Sequence, residues 1–453
     1  MKITDLNRNG GIDANSLLLE WGPFRIVFDA GLSPRTAGKA GVPRYDLIGP
    51  EPVDLIILSH CHLDHLGSLP VLMREQPEPF VVMSAASMVI ARRMLKNSYN
   101  VMVRQREEAG VTEYPLFSRR EIDQIGRRVL PLLFDQPRVF TGRTGESLVV
   151  TLHPAGHIPG AASVTLQYRK EKLFLSGDIL FAPQNILEGA RLPRDPVETL
   201  VLETTRGLTA RPVGQSRATE VERLLQQLDE VLAAGGSFIM PTFALGRMQE
   251  VLAILHEARR NNRLPKVPVF ASGLGLDLVD YFDEIARKTG ACRFRRRIVE
   301  DLGVVRLPDT LLRGRLPAGP AIYVLSSGMM VEQTPAYVMM PRILRDPKNF
   351  VAFIGYCDHA TPGGRLLAAD PGSLFRFDAI EKEARVEARV ERFDLSSHAE
   401  RDELLEFALS LRPRNVVLTH GEPEARAWFA AELAHRLPQA RVIDPVPLRT
   451  HEL

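Results

Sequence analysis

Three histidines and an aspartate are crowded into one short stretch, residues 59–67, which reads SHCHLDHLG. The segment before it, residues 53–58, has the length and branched-aliphatic content of a buried strand, so the polar residues follow a strand end. Imidazole and carboxylate together suit zinc, and less exclusively manganese or iron. Because no thiolates cluster here, the stretch predicts a metal site with an open position for chemistry rather than a closed structural zinc.

The spacing within this stretch allows it to serve more than one ion. His60 and His62 are two residues apart, so both rings point the same way from an extended backbone. Asp64 and His65 fall on the following turn and can point elsewhere. Cys61 is predicted to be a buried filler rather than a ligand, because its side chain points away from those of its two neighbours.

Two further histidines follow apolar runs elsewhere in the chain. His157 lies in HPAGHIPGAAS, after the alternating run 148–152, and His420 follows the run 415–419. Both are predicted to be metal ligands delivered by strand ends. His153, at the edge of its strand and before a proline, is interpreted as structural.

Acidic residues stand at three more strand ends. Asp178 follows the run KLFLSG and is well placed to bridge two ions with its two carboxylate oxygens. Glu203 ends the run LVLE. Asp29, in FDAG, has two interpretations: a partner that orients a histidine ligand, or a simple turn residue. His398 precedes a helix predicted from about residue 400, a position that disfavours imidazolium unless a carboxylate compensates.

These residues supply enough nitrogen and oxygen ligands for two ions, each left with an open position. Two ions about 3.5–4 Å apart can bridge a hydroxide and stabilise both oxygens of an in-line phosphoryl displacement. Phosphodiester hydrolysis is therefore the chemistry that the set favours. The predicted ligands are His60, His62, Asp64, His65, His157, Asp178 and His420.

The whole chain limits what can surround this site. Its 453 residues exceed one comfortable core and predict two or three domains. A net charge of only +2 excludes a strongly basic global field, so any phosphate affinity must be local. No run of about 18 apolar residues exists to span a membrane. The N-terminus lacks a signal-like apolar core and the three cysteines show no paired spacing, so a reducing, cytoplasmic location is expected.

From about residue 208, predicted helices alternate with short apolar strands, which indicates a second α/β unit with a parallel sheet. Loops after such strands can hold phosphates through backbone N–H groups. Ser327 and Gly328 lie in one of these loops, and Arg247 and Arg365 are either phosphate contacts or ordinary surface arginines. The run RFRRR, residues 293–297, is either a nucleic-acid patch or a solvated edge strand.

The motifs together resemble a known family. HCHLDH, GHIPGAAS and SGD are similar to motifs two, three and four of the metallo-β-lactamase fold, with Asp29 matching motif one. VLETTRG, SSHAERDEL and VVLTHGEPEA resemble motifs A, B and C of the β-CASP nucleases, which include RNase J and the pre-mRNA 3′-end endonuclease. PTFALGRMQE, SSGMM and IGYC are similar to segments of the domain inserted in that group.

The resemblance implies an α/β fold, a four-layer metallo-β-lactamase αββα sandwich interrupted by an inserted β-CASP α/β domain. The first domain would span residues 1–207 and 389–453, and the insertion residues 208–388. It also implies two Zn²⁺ ions, with Mn²⁺ as the alternative. One zinc would take His60, His62 and His157, the other Asp64, His65 and His420, with Asp178 bridging.

The same resemblance assigns catalytic roles. His398 would be the general acid that protonates the leaving 3′-oxygen, Glu203 would hold and charge its ring, and Asp64 would serve both metal binding and catalysis. Family members with histidine at the position of His420, rather than valine, tend to act on RNA. The expected enzyme is a zinc-dependent ribonuclease of RNA processing or decay. Its expected partner is single-stranded RNA, with DNA less favoured, no membrane, and a homodimer left open.

Two other functions remain open from the sequence. A metallo-hydrolase of small esters or nucleotides would use the same metal motif, but it has no need of a large second domain or of His398. A non-catalytic RNA-binding subunit would retain the fold with a vestigial site, whereas every ligand position is filled here. GGIDANS, near the N-terminus, departs from the usual opening of the family, so the resemblance does not fix the substrate length preference or the exonuclease polarity.

Overall fold

The computed structural model describes residues 1–314, 316–317 and 319–453, and these form two compact units. Unit 1 contains Met1–Pro183, Gly189–Ala210 and His398–Leu453. Unit 2 contains Gln184–Glu188 and Arg211–Ser397. The main segment of unit 2 begins at Arg211 and ends at Ser397, whereas the predicted insertion spans residues 208–388.

Both units contain strands and helices, and the two alternate most regularly in unit 2. The strands are β1 (Lys2–Asp5), β2 (Leu17–Trp21), β3 (Phe24–Phe28), β4 (Leu55–Ile57), β5 (Phe80–Ser84), β6 (Val129–Leu132), β7 (Arg138–Thr141), β8 (Ser147–Pro154), β9 (Ala162–Tyr168), β10 (Glu171–Leu175), β11 (Thr199–Glu203), β12 (Phe238–Pro241), β13 (Val269–Ala271), β14 (Val304–Arg306), β15 (Ile322–Leu325), β16 (Phe350–Ile354), β17 (Leu374–Phe377), β18 (Lys382–Arg385), β19 (Arg389–Phe393), β20 (Asn415–Thr419), β21 (Arg441–Ile443) and β22 (Thr450–Glu452).

The helices range from single turns to the long α3. They are α1 (Leu63–Leu66), α2 (Leu69–Glu75), α3 (Ala85–Glu108), α4 (Arg119–Gln124), α5 (Arg217–Ala233), α6 (Arg247–Arg260), α7 (Leu274–Asp277), α8 (Val279–Lys288), α9 (Arg297–Leu302), α10 (Asp309–Arg313), α11 (Pro335–Ile343), α12 (Pro362–Leu367), α13 (Arg401–Leu411) and α14 (Pro423–Arg436). Among the described residues, no helix is long and apolar enough to cross a membrane.

Unit 1 is built on two sheets. Within the described residues, the first has strand order β22-β1-β2-β3-β4-β5-β6 and the second β21-β20-β11-β10-β9-β8-β7. Side chains alternate between the faces of a strand, so each sheet can send one apolar row inward. Phe28 and Ile57 of the first sheet and Leu166 and Val417 of the second belong to one buried cluster. The core of unit 1 therefore lies between its two sheets.

Helices cover the outer faces of both sheets. On the second sheet, Phe174 and Leu202 pack in one cluster with Phe407 of α13 and Phe429 of α14. On the first sheet, α3 contacts β5 and β6. The order helix, sheet, sheet, helix confirms the predicted αββα sandwich.

The sheet directions explain why chemistry-bearing residues gather in unit 1. Strands β10, β11 and β20 are parallel neighbours, so their carboxyl ends share one edge of the second sheet. Asp178 follows the first of these strands, Glu203 ends the second, and His420 follows the third. In the first sheet, β3 and β4 are likewise parallel, and they lead to Asp29 and to the histidine stretch.

Unit 2 contains a parallel sheet of order β14-β13-β15-β12-β16-β19 within the described residues, as the alternation of helices and strands predicts. Phe238 and Phe350 stack on neighbouring strands with ring centroids 4.9 Å apart. Residues 293–297 form no strand, so the edge-strand interpretation is wrong. They lead into α9, and Arg295 and Arg296 form ion pairs with Asp283 and Asp280 of α8.

One buried carboxylate organises several parts of unit 2. Glu250 on α6 is fully buried and accepts backbone hydrogen bonds from Asn185 (3.0 Å) and Ile186 (3.1 Å). It also accepts a hydrogen bond from Arg217 Nη2 at 2.8 Å. The other terminal nitrogen of Arg217 donates to the Ser396 carbonyl at 3.1 Å. Glu250 thus attaches residues 184–188 and, through Arg217, the end of unit 2 to α6.

We predict that Glu250→Ala lowers the free energy of unfolding by about 3–5 kcal/mol, because it leaves a buried arginine and two N–H groups without their acceptor. Urea denaturation followed by circular dichroism measures this. The matched control is Glu222→Ala, since Glu222 pairs with Arg263 on the surface and should matter little. Equal losses in the two variants would contradict the role given to Glu250.

Candidate metal centre

Three imidazole nitrogens converge in unit 1. His62 Nδ1 lies 3.2 Å from His60 Nε2 and 3.0 Å from His157 Nε2. His60 and His62 come from the stretch after β4, and His157 from the loop after β8. At a tetrahedral zinc with Zn–N bonds of about 2.0–2.1 Å, ligand nitrogens lie about 3.3 Å apart. The observed separations therefore fit three ligands of one ion.

A second group of donor atoms lies beside the first. Asp64 Oδ2 is 3.8 Å from His65 Nε2 and 3.4 Å from His420 Nε2. Asp64 and His65 lie on α1, a single turn that begins after His62, so the chain direction changes between the two groups. This turn is the physical reason that one short stretch supplies both.

Asp178 lies between the two groups. Its Oδ2 is 3.6 Å from both His60 Nε2 and His157 Nε2, and 3.4 Å from His65 Nε2. Its Oδ1 is 3.3 Å from His420 Nδ1. The carboxylate therefore faces donor atoms of both groups, as expected for a bridging ligand.

The hydrogen bonding of these atoms also fits a cation. His65 Nε2 and Asp178 Oδ1 are buried and make no hydrogen bond, although buried polar atoms are nearly always satisfied. Both point at oppositely charged groups without hydrogen-bond geometry. The donor set is nitrogen and oxygen, which zinc accepts. The residues present therefore fit a bound metal.

The pKa values of the clustered histidines and aspartates show that the buried carboxylates are stabilised by positive charge. Burial raises the pKa of Asp178, but the charges of His420 and His65 outweigh burial and hold it well below the usual range. Burial lowers the pKa of His65, yet the Asp178 and Asp29 carboxylates hold it well above normal. Burial, reinforced by the charge on His65, lowers the pKa of His60. The buried carboxylates thus require nearby positive charge, which a bound cation supplies.

Asp29 fixes the orientation of His65. Its Oδ2 lies 2.7 Å from His65 Nδ1, which turns Nε2 towards the other ligands. Asp29 is itself held by Ser59, whose backbone N–H and hydroxyl donate to it at 2.7 and 2.9 Å. Asn15 Nδ2 adds a hydrogen bond at 3.3 Å. Of the two interpretations of Asp29, these contacts favour the partner that orients a ligand.

Asn15 also braces the backbone of α1. Its N–H donates to the Asp64 carbonyl at 2.7 Å, and the Gly31 N–H donates to the Asn15 carbonyl at 3.0 Å. A Cβ atom at Gly31 would lie 1.9 Å from the Asp64 carbonyl oxygen, so only glycine fits there. Sequence reasoning missed Asn15 and Ser59, although both flank the predicted motifs.

Glu203 holds His398 beside the ligand group. Glu203 is fully buried, its Oε1 accepts the Ile179 N–H at 2.6 Å, and its Oε2 lies 3.1 Å from His398 Nδ1. The ring centroids of His398 and His157 are 4.6 Å apart. Glu203 therefore fixes the orientation of the His398 ring next to His157.

The remaining sequence predictions lie away from this cluster. Cys61 is buried, its Sγ donates to the Ser87 carbonyl at 3.3 Å, and burial raises the pKa of its thiol to about 12, so it is a poor ligand. His153 bonds Asp135 at 2.9 Å and Thr165 at 2.9 Å instead of joining the ligands.

The four candidate substrate contacts all belong to unit 2. Arg365 is exposed on α12, Ser327 is half-buried, and Gly328 is buried after β15. Arg247 is buried, with Nη1 3.5 Å from Gln184 Oε1, and burial together with the charge of Arg217 lowers its pKa to about 9. Arg247 is thus not an ordinary surface arginine, and its role as a phosphate contact stays a prediction.

Three families match successive parts of the chain. The Metallo-beta-lactamase superfamily matches residues 9–236, the Beta-Casp domain residues 248–366, and the Zn-dependent metallo-hydrolase RNA specificity domain residues 383–442. The order agrees with the motifs read from the sequence, and the last match contains His398 and His420.

Individual relatives give the same picture. The chain is 30% identical to Ribonuclease TTHA0252 of Thermus thermophilus, with 96% of each chain covered. It is 27% identical to Cleavage and polyadenylation specificity factor 73 of Drosophila melanogaster, over 93% of this chain and 60% of that protein. It is also 27% identical to Transcription termination factor FttA of Pyrococcus horikoshii, over 94% and 67%.

Among solved structures, a protein of unknown function from Enterococcus faecalis V583 has the same fold. It aligns with a TM-score of 0.57 and 14% identity, over 100% of this chain and 99% of that one.

We predict that Asp29→Asn lowers zinc affinity about 10–100-fold, because His65 loses the carboxylate that orients its ring. Competition with a chromogenic chelator measures the affinity. Asp135→Asn is the matched control, since it removes a similar carboxylate–histidine contact at His153 and should leave zinc binding unchanged. Unaltered affinity in Asp29→Asn would argue against the orienting role.

Proposed function

The chain belongs to the metallo-β-lactamase superfamily and carries its Beta-Casp and RNA-specificity domains, and on this premise we propose a two-metal, zinc-dependent ribonuclease acting on single-stranded RNA. The Beta-Casp match and the relatives named as ribonucleases make the chain a metal-dependent nuclease. The number and identity of the ions and the single-stranded substrate are the proposal. We place the activity in RNA processing or decay in the cytoplasm, and a homodimer remains a prediction.

The position of Asp178 is the observation that carries the proposal. One carboxylate oxygen lies within 3.6 Å of donor atoms from both ligand groups, and such a group between two sites is what a pair of adjacent ions requires. A single-ion site would leave one group of buried donors without a function. Two ions therefore account for the whole cluster.

The proposed ligands divide as the donor atoms do. His60, His62 and His157 would hold one zinc, Asp64, His65 and His420 the other, and Asp178 both. Bound zinc supplies a water of lowered pKa as nucleophile and positive charge to stabilise the phosphate oxygens. The protein contributes the rigid, buried setting that keeps these ligands in place.

His398 is proposed as the general acid. Glu203 Oε2 lies 3.1 Å from His398 Nδ1. The Glu203 carboxylate is held in this orientation because its other oxygen, Oε1, accepts the Ile179 N–H. The imidazolium would donate its Nε2 proton to the 3′-oxygen as the phosphorus–oxygen bond breaks, leaving neutral imidazole and a free 3′-hydroxyl. The compact arrangement of acid and ligands in unit 1 supports this role.

RNA is favoured as the substrate on two grounds. The matched RNA specificity domain includes His398 and His420, and the relative that the chain covers almost completely is named a ribonuclease. Three residues of unit 2 remain proposed contacts to the RNA phosphates: Arg365, Ser327 and Gly328. Arg247 could join them only if its side chain left its buried position.

We predict that the zinc-loaded protein cleaves end-labelled single-stranded RNA, spares the matched DNA, and turns over a small phosphodiester poorly. Asp64→Asn replaces a negatively charged proposed ligand by a neutral amide, so this variant should lose bound metal and RNA cleavage together. Product ladders distinguish endonuclease from exonuclease cleavage. Preferred turnover of the small ester would favour the small-molecule hydrolase, and an RNA gel shift without cleavage would favour a binding subunit.

We predict that His398→Ala retains its metal but loses about 10²–10⁴ in the rate of RNA cleavage, because only the proton donor is removed. Metal content by mass spectrometry and single-turnover kinetics on the same preparation separate the two effects. His153→Ala is the matched control and should be nearly as active as wild type. Loss of metal from His398→Ala would instead make this histidine a ligand.

A further inference from the structure

One of the proposed ligands, His420, offers two ring nitrogens to the metal centre, and each of them faces a carboxylate. Its Nε2 lies 3.4 Å from Asp64 Oδ2, and its Nδ1 lies 3.3 Å from Asp178 Oδ1. Either separation fits two ligand atoms of one tetrahedral zinc, which lie about 3.3 Å apart. The two carboxylates alone therefore do not decide which nitrogen binds an ion.

A hydroxyl group beside His420 distinguishes the two nitrogens. Thr205 Oγ1 lies 3.0 Å from His420 Nδ1 and donates a hydrogen bond to the His420 backbone carbonyl, also at 3.0 Å. A threonine hydroxyl has one proton to donate and two lone pairs that accept. Because the carbonyl oxygen can only accept, it takes the hydroxyl proton, and a lone pair of Oγ1 is left for Nδ1. In the neutral ring, Nδ1 is therefore the nitrogen that carries the proton.

A neutral ring with its proton on Nδ1 keeps a free lone pair on Nε2. Metal binding requires this neutral form of histidine. Asp178 Oδ1, the carboxylate oxygen near Nδ1, also favours a proton on that nitrogen. The Nε2 lone pair faces Asp64 Oδ2, so two acceptors meet there and a cation between them satisfies both. Nε2 is therefore the atom suited to bind metal, in the group that contains Asp64 and His65.

Neighbouring strands bring Thr205 to His420. Strands β11 and β20 are parallel, and Glu203 at the end of β11 pairs with Thr419 at the end of β20. The residues that follow the two strands therefore lie side by side. Thr204 reinforces this contact, because its Oγ1 donates to the Thr419 carbonyl at 3.0 Å.

The backbone of His420 also needs support. Its φ is 51°, in the left-handed region that residues other than glycine rarely adopt. The Thr205 hydroxyl and, at 3.4 Å, the Thr204 N–H both donate to the His420 carbonyl oxygen. Gly421 permits this close approach, because a Cβ atom there would lie 2.1 Å from Thr204 Oγ1. The Thr205 hydroxyl thus contacts both the backbone and the ring of His420, which fixes the direction of the ring.

We infer that Thr205 is a positioning residue of the metal centre, whose hydroxyl holds the His420 ring with Nδ1 protonated and Nε2 as the metal-binding atom. This inference rests on the two-metal site proposed above. Thr205 does for His420 what Asp29 does for His65, but with a neutral group. Only one of the two ions should depend on Thr205, the one assigned to Asp64, His65 and His420.

The test compares Thr205→Val, which keeps the branched shape without the hydroxyl, with Thr205→Ser, which keeps the hydroxyl. Zinc titration of the metal-free full-length protein against a chromogenic chelator gives the affinity for each ion. In Thr205→Val, one ion should bind about 10–100-fold more weakly and the other as in the wild type. Thr205→Ser should restore the wild-type affinity.

The matched control is Thr165→Val, because Thr165 Oγ1 contacts His153, outside the ligand cluster, at 2.9 Å. This variant should bind both ions as the wild type does. Equal zinc affinities of Thr205→Val and the wild type would overturn the inference. Equal weakening of both ions in Thr205→Val would also overturn it, because that result indicates a general loss of structure.

A crystal structure of the zinc-loaded wild type makes the test independent of how the variants fold. The expected result is zinc in contact with His420 Nε2, with Thr205 Oγ1 within hydrogen-bond distance of Nδ1. Zinc bound to His420 Nδ1 would overturn the inference. None of these readouts depends on RNA cleavage, so a protein that binds both ions but cleaves no RNA would contradict the proposed nuclease and not the role of Thr205.

Discussion

A buried carboxylate surrounded by imidazoles is the interaction on which the rest of this site depends. Asp178 is almost completely buried, and a charge in that position is stable only with compensating positive groups around it. The stretch after β4 supplies His60 and His65, the loop after β8 supplies His157, and the end of β20 supplies His420. The fold of unit 1 thus holds the Asp178 carboxylate and the surrounding histidines at fixed distances from one another.

Support for the ligands comes from residues that do not themselves bind metal. Asp29, held by Ser59 and Asn15, sets the ring of His65, and Glu203 sets the ring of His398 in a similar way. The other oxygen of each carboxylate accepts a hydrogen bond from a backbone N–H, so reorienting either carboxylate would break that hydrogen bond. These contacts hold the donor atoms in an arrangement that suits a cation.

Sequence reasoning predicted the parts of the molecule that depend on local pattern. The strand ends before the ligand residues follow from apolar runs, the parallel sheet of unit 2 follows from the alternation of helices and strands, and the αββα class follows from the family resemblance of the motifs; the structure confirms all three. Sequence reasoning could not find Asn15, because its role depends on contacts with Asp64 and Asp29 that are distant along the chain. The burial of Arg247 could not be predicted for the same reason, since burial is a property of the packed unit and not of a loop motif.

Residues 293–297 illustrate a further limit. Five residues rich in arginine look like a basic patch, yet Arg295 and Arg296 pair with acids of α8 that become their neighbours only in the fold. Charge runs therefore say little about the local field until their partners are known. Glu250 is the converse case, an acid on α6 whose direct partners come from two separate segments, residues 185–186 and Arg217.

The most direct test of the account is the anomalous diffraction of zinc in crystals of the wild-type protein. The account predicts two ions per chain, one bound by His60, His62 and His157, the other by Asp64, His65 and His420, both in contact with Asp178. A single ion at full occupancy, or two ions that do not share Asp178, would contradict it.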